Sequence, residues 1–170
     1  ATFEFGGGTL ALTEAGTQRR ASLHLVQGRD ALRAMDPGGI DVLACSLDEF
    51  RARLAAENHT LKRSLTNPAL FSGIGNAYSD EILHRARMSP VALTRSLDSE
   101  AAQRLLDATR QVLTEWTRRL GEEALAHDGW PPKVTAFHPQ MAVHGRYGLP
   151  CPVCGTKVQR IVHGPQAPAR

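Results

Sequence analysis

The sequence predicts a mainly α-helical protein with flanking β-structure. Three observations carry that expectation. The first stretch alternates apolar and polar residues, the period of a strand. Residues 46–120 place leucine, valine and aromatic side chains at helical spacing. The C-terminal stretch is rich in glycine and proline and holds a CxxC pair, Cys151 and Cys154.

Taken in order, "TFEF" and "TLAL" flank Gly6–Gly8 and read as a hairpin with a loose loop. "ASLHLV" puts Leu23 and Leu25 on one face and reads as an edge strand of a sheet. "DPGG" at 36–39 is a turn and a domain boundary. Ser46 with Glu49 forms a capping box that opens a helix carrying Leu47, Phe50 and Leu54 on one face. "HTLKRSL" continues as helix or helical turn until "TNP" at 66–68 breaks it. A glycine turn follows, then a helix from about Asn76 to Arg87 with Tyr78, Ile82, Leu83 and Ala86 as its apolar stripe. A long helix starts near Ser96 or Asp98, with Leu105, Val112, Leu113, Trp116 and Leu120 in register and Trp116 in the core. "DGWPPK" is loop, with Trp130 packed beside its prolines, and "KVQRIV" is strand-like.

Composition narrows the class. The 170 residues are 42% hydrophobic, enough for a core, and contain no apolar run long enough to span a bilayer. There is no initiator Met and no charged-then-apolar leader, and the opening residues read as the middle of a β-structure, so the chain reads as a fragment. Three cysteines are not a secreted disulfide framework, which points to a reducing, intracellular setting. The net charge of +3 is segregated: −3 over residues 1–50, +4 over 51–97, −3 over 98–128 and +5 over 129–170. Such blocks are either solvated surface or two faces that meet one polyanion.

"SGIGNAYSDEIL" is the informative stretch. Gly73 and Gly75 bracket Ile74 directly before a helix, and Asn76 stands in the N-cap region. The simple reading is a tight turn with an Asn cap. The sharper one is an anion site, since uncovered N–H groups and the positive end of the helix dipole suit a phosphate. Lys62 and Arg63 precede the turn, Arg85 and Arg87 end the helix that follows it, and Asn76 would share one basic face with Lys62 and Arg85. On position alone Lys62 is an ordinary solvated helix lysine. The CxxC offers two thiolates on one turn for zinc, or a redox pair without the βαβ context that such pairs use. His144 and His163 are further imidazoles without a recognisable spacing, and Cys45 reads as an inert buried thiol.

"HTLKRSLTNPALFSGIGNAYSDEILHRARMSP" resembles the helix–two-turn–helix module of the formamidopyrimidine-DNA glycosylase and endonuclease VIII family. "VHGRYGLPCPVCGTKVQRI" is similar to the start of that family's zinc ribbon, and "AGTQRRASLHLV" to the last strands of its β-sandwich. The resemblance implies a helix–two-turn–helix bundle (37–128) preceded by a partial β-sandwich (1–36) and followed by a truncated zinc ribbon (129–170). It implies base excision on oxidised bases by a glycosylase with AP lyase activity, in the bacterial cytoplasm on nucleoid DNA. The partner would be double-stranded damaged DNA, met by a monomer away from any membrane. Lys62, Gly73, Gly75, Asn76, Arg19, Arg20 and Arg146 would bind DNA, and Cys151 and Cys154 would supply half of a zinc site. Arg19 and Arg20 read equally as strand-edge charges.

The departures are specific. The family's nucleophile is an N-terminal proline followed by glutamate, whereas this sequence opens on Ala1 and Thr2; its second cysteine pair has no counterpart here. The resemblance therefore implies no catalytic residue in this chain and no activity from it alone. It leaves the lesion, oxidised purine or pyrimidine, undefined. A non-enzymatic helix–two-turn–helix nucleic-acid binder is the alternative, against which the "VHGRYGLPCPVCG" stretch argues.

Overall fold

The computed structural model describes residues 1–14, 21–129 and 137–161. It is a mixed fold dominated by helix with few strands. Strands β1 (Thr2–Phe5) and β2 (Gly8–Ala11) form the expected antiparallel hairpin, pairing Thr2 with Ala11 and Phe5 with Gly8. A short helix α1 (Arg29–Arg33) follows. The expected strand at "ASLHLV" is not one: residues 21–26 are irregular and exposed, with Leu25 fully in solvent. Alternation supplies a face but not a partner, and among the described residues no strand lies beside it to complete a ladder.

The helical part begins at β3 (Ile40–Asp41), which pairs in parallel with β4 (Phe71–Ser72). Gly39 makes that approach possible. A Cβ there would lie 2.3 Å from the Pro68 carbonyl oxygen and 2.8 Å from the Phe71 carbonyl carbon. Both obstacles are backbone, so neither can swing aside. Gly39→Ala is expected to destabilise the fold by roughly 1–3 kcal/mol, the cost of overpacking, read from the denaturant midpoint. An unchanged midpoint would show that the 39–41 and 68–72 segments separate freely.

Helix α2 (Leu47–Ala55) carries the capping box as expected: Ser46 Oγ accepts from Glu49 N–H, and the Glu49 carboxylate accepts from Ser46 N–H at 2.7 Å. Those hydrogen bonds hold the Glu49 carboxyl below its ordinary range. The helix ends before "HTLKRSL", which forms a separate helix α3 (Leu61–Leu65) with Thr60 as N-cap. α4 (Asn76–Ala86) closes on Arg87 in the left-handed conformation, φ 55°. Asp98 caps α5 (Ser99–Leu125), a 27-residue helix about 40 Å long.

The core lies where α2, α3 and α4 meet α5. Phe50 and Phe71 pack with ring centres 4.9 Å apart, and Leu61, Leu65, Ile82, Leu83, Leu105 and Val112 are all buried around them. Trp116 is buried, as expected, with the Arg119 guanidinium 4.7 Å above its ring. Arg110, a charge on the inner side of α5, donates to the carbonyls of Val42 and Cys45, so the β3 exit is tied to the long helix. Cys45 is buried, which pushes its thiol up. No helix among the described residues is long and apolar enough to cross a membrane.

After α5 the described chain resumes at Phe137. The strand expected over 157–162 is reduced to one antiparallel bridge, Pro150 with Lys157, plus reciprocal bonds between Leu149 and Val158 and their neighbours. Trp130, Arg19, Arg20 and His163 lie outside the described residues.

Candidate nucleic-acid interface

The interface is built on the entry to α4. The parallel pairing of Ile40 with Phe71 and Asp41 with Ser72 delivers the chain to Gly73. Gly73 has φ 80°, a conformation costly for any other residue, and makes the reversal. Gly75 differs from expectation: its φ is −94°, which any residue adopts, and a Cβ on it would meet nothing within 4 Å. One glycine makes the turn; the other leaves space. Asn76 also differs. Gly75 is the N-cap, no side chain caps the helix, and Asn76 is exposed at its first position. The first turn contains no carboxylate. The N–H groups of residues 76–78 therefore point outward at the positive end of the helix.

Lys62 is set opposite by α3. The N–H groups of Leu61 and Lys62 donate to the carbonyls of Ala92 and Pro90, which fastens α3 to the segment leaving α4. From there the Lys62 ammonium donates to the Asn76 carbonyl at 2.7 Å and to Asp80 at 2.5 Å. Its side chain is 22% exposed, so it is not the solvated lysine its position alone describes. Arg85 does not join this face. It pairs with Glu115 of α5 at 2.9 Å, and that hydrogen bond holds the Glu115 carboxyl below its ordinary range. Position along the helix decides this: Arg85 is nine residues beyond Asn76, on the side packed against α5.

Asp80 and Glu81 do what the sequence did not signal. Asp80 bridges Lys62 and His144 Nδ1, the latter at 2.8 Å. His144 stacks on Phe137, their ring centres 5.3 Å apart. Glu81 is buried, and its carboxylate accepts the N–H groups of Ala142, Val143 and His144 at 2.8–2.9 Å. A glutamate between Tyr78 and Ile82 on the apolar stripe was the available signal. The pair anchors the segment before the CxxC onto α4. Arg146 follows, and its buried Nε has no hydrogen-bond partner among the described residues.

The CxxC turn packs over the far end of α4. Gly155 has φ 73°, its N–H donates to the Cys151 carbonyl at 2.9 Å, and Cys151 N–H donates to the Thr156 carbonyl at 2.8 Å. Val153 N–H donates to Cys151 Sγ at 3.4 Å. Cys151 is buried and Cys154 exposed; hydrogen bonds from Thr156, then Cys151, lower the Cys154 thiol. Together these elements enclose a cleft of about 940 Å³ that runs from Lys62, Asn76 and Asp80 past His84 and His144 to Cys151 and Cys154.

Residues 39–125 match the family model described as the formamidopyrimidine-DNA glycosylase H2TH domain. An uncharacterized formamidopyrimidine-DNA glycosylase-like protein of Mycobacterium tuberculosis is 38% identical over 130 residues, covering 76% of this chain and 77% of its own. Formamidopyrimidine-DNA glycosylase of Thermus thermophilus is 45% identical over 108 residues, covering 60% of this chain and only 39% of its own. The crystal structure of the MutM (Fpg) protein from Thermus thermophilus superposes with a TM-score of 0.61 at 39% identity over 74% of this chain and 48% of that one. The Lactococcus lactis Fpg in complex with abasic-site DNA gives 0.64 at 25% identity over 77% and 48%. The chain thus spans less than half the length of these solved relatives. With the H2TH match reaching over half its residues and carrying the GxGN entry to α4, this chain belongs to the formamidopyrimidine-DNA glycosylase family.

Proposed function

We propose that this chain is the DNA-gripping part of a base-excision glycosylase with AP lyase activity on oxidised bases. The observation that carries the reading is the uncapped, carboxylate-free start of α4, opened by Gly73 and Gly75 and faced by Lys62, in a chain of this family. The outward N–H groups of residues 76–78 and the Asn76 amide would donate to a phosphate beside a nucleotide turned out of the stack. The empty space over Gly75 would let that phosphate approach the backbone. Lys62 acts mainly by position: it holds the Asn76 carbonyl, and Asp80 offsets part of its charge. Arg146, whose Nε has no hydrogen-bond partner among the described residues, would take a neighbouring phosphate. Arg19 and Arg20 would lie by the gap that the extruded base leaves. The three parts of the chain divide at 36 and 128, the middle one holding DNA as a monomer in the bacterial cytoplasm.

Zinc fits the knuckle in part. Two thiolates on one turn with an N–H aimed at Cys151 sulfur are the right donors, and they are half of a structural set. Bound there, zinc would lend the C-terminal turn rigidity; Cys151 and Cys154 would hold it, and no chemistry on DNA depends on it.

The test is fluorescence anisotropy with an abasic-site duplex across a salt series. Affinity should fall steeply with salt, because each neutralised phosphate releases counterions. Asn76→Ala and Lys62→Ala should each weaken binding by roughly 1–3 kcal/mol, the range for a charge-assisted hydrogen bond. Gly75→Ala separates grip from fold. It should leave the melting temperature close to the parent's, since its φ suits alanine and the entropy lost from the unfolded chain offsets alanine's poorer fit at an N-cap. It should nevertheless weaken binding, since the methyl would occupy the phosphate's approach. Salt-independent binding, or a Gly75→Ala protein that binds like the parent, would refute this site.

A further inference from the structure

We propose that His144 makes the grip on DNA proton-linked: its Nε2 donates to a phosphate drawn into the cleft, and the imidazole takes up a proton as that phosphate arrives. The proposal rests on the phosphate site read above and adds to it a residue of the C-terminal segment.

Three features single out His144. Its Nδ1 lies 2.8 Å from one oxygen of Asp80. The other Asp80 oxygen takes the Lys62 ammonium, which also holds the Asn76 carbonyl. Two side chains thus join His144 to the start of α4. A carboxylate that accepts from an ammonium is ionised and can only accept, so Nδ1 carries the hydrogen of its bond. Second, Nε2 has no hydrogen-bond partner among the described residues, and the ring lines the cleft that reaches Lys62 and Asn76. Third, the ring is held. It stacks on Phe137 at 17°, its side chain is 11% exposed, and Glu81 accepts its backbone N–H. A side chain already fixed loses little entropy when a ligand meets it.

With Nδ1–H committed to Asp80, Nε2 has two states. Bare, it is an acceptor and opposes a phosphate oxygen; protonated, it is a donor. A phosphate in the cleft places the imidazole between two anions, the arrangement that favours its charged form. The proton comes from solvent and stays on Nε2, in the bond to the phosphate oxygen. Histidine is the side chain that ordinarily changes charge between about pH 5 and 8. The charged and titratable groups around the ring come from three elements. α4 supplies Asp80, Glu81 and His84, the last 3.2 Å from the Cys151 sulfur. α3 supplies Lys62, and the C-terminal turn brings Lys157, Arg160 and Cys154 to the same cleft. Hydrogen bonds from Thr156 lower the Cys154 thiol, so a thiolate there would also weaken DNA binding as pH rises. Variants at His144 separate the two. Because the bound state holds one more proton than the free protein, affinity rises as pH falls and is lost as pH climbs through the histidine range.

The test is fluorescence anisotropy on an abasic-site duplex at fixed low salt, from about pH 6 to about pH 7.5, inside the histidine range. Parent affinity should fall roughly tenfold across it, below the ceiling of about tenfold per pH unit for one proton. His144→Asn keeps a donor for Asp80 and removes Nε2. Its affinity at the acid end should drop to the parent's value at the alkaline end and change little with pH. His144→Gln places a neutral amide N–H near the Nε2 position. It should recover part of the lost affinity and still show no slope. A merely structural role would lower affinity by one factor at every pH and leave the slope as it was. Calorimetry of the parent in two buffers of different ionisation enthalpy needs no variant, and should show net uptake of up to one proton per complex. No uptake, or a parent slope that both variants keep, would overturn the proposal and leave the phosphate site at the α4 start standing. A chain that binds the duplex at no pH would overturn both.

Discussion

Incubated with an abasic-site duplex and borohydride, the 170-residue chain is expected to form a covalent adduct about a thousandfold more slowly than a full-length family glycosylase. Schiff-base chemistry needs an amine with a free lone pair placed at the sugar C1′. The Ala1 amine donates to the Leu12 carbonyl at 3.0 Å and is held at the end of the β1–β2 hairpin. The Lys62 ammonium is engaged by Asp80 and by the Asn76 carbonyl. Lys157 is exposed on the C-terminal turn. A lysine in water, with a pKa of about 10.4, is deprotonated in only about one molecule in a thousand at neutral pH, which sets the size of the effect. Binding must be shown on the same duplex at low salt, so that a missing adduct reports missing chemistry. Trapping at the rate of a full-length enzyme would place a nucleophile in this chain.

How much of this was legible follows from what each feature depends on. Local features were. The Ser46 and Glu49 capping box, the β1–β2 hairpin and the burial of Trp116 need only neighbours in sequence or helical periodicity. The position of the α4 start was legible too, because glycine and asparagine before an apolar stripe mark it. Its detail was not: whether Gly75 or Asn76 is the cap depends on where Phe71 and Ser72 are pinned by the parallel strand at residues 40–41. Features made by distant residues left no local trace. Arg85 reads as part of a basic cluster until Glu115, thirty positions on, claims it. His84 reads as a helix-end histidine until the CxxC turn folds back over it. The strand expected at 21–26 shows the converse, a clear local pattern to which the described fold supplies no partner.

Glu81→Ala is expected to cost roughly 3 kcal/mol or more of stability, since each buried N–H left without an acceptor costs about 1–3 kcal/mol. Three N–H groups, those of the half-buried Ala142, Val143 and His144, converge on its carboxylate. Glu81 is 6% exposed, so its carboxylate accepts these bonds largely shielded from solvent between α4 and the C-terminal segment. The loss should be local before it is global. Of residues 137–161 only Met141 joins the buried cluster that holds Phe50, Leu65, Ile82 and Leu105, so the helices should persist while the segment from 137 to 161 detaches. Limited proteolysis reads that directly: cleavage within 137–161 should accelerate in Glu81→Ala while α5 stays protected. Glu81→Gln retains one acceptor oxygen and should fall between the two. The same variant should weaken DNA binding without any change at Asn76, because Arg146 and the knuckle are carried by the segment that Glu81 anchors. Equal proteolysis of Glu81→Ala and the parent would show that packing of Met141 and Cys151, both buried, is enough to hold the segment without the carboxylate.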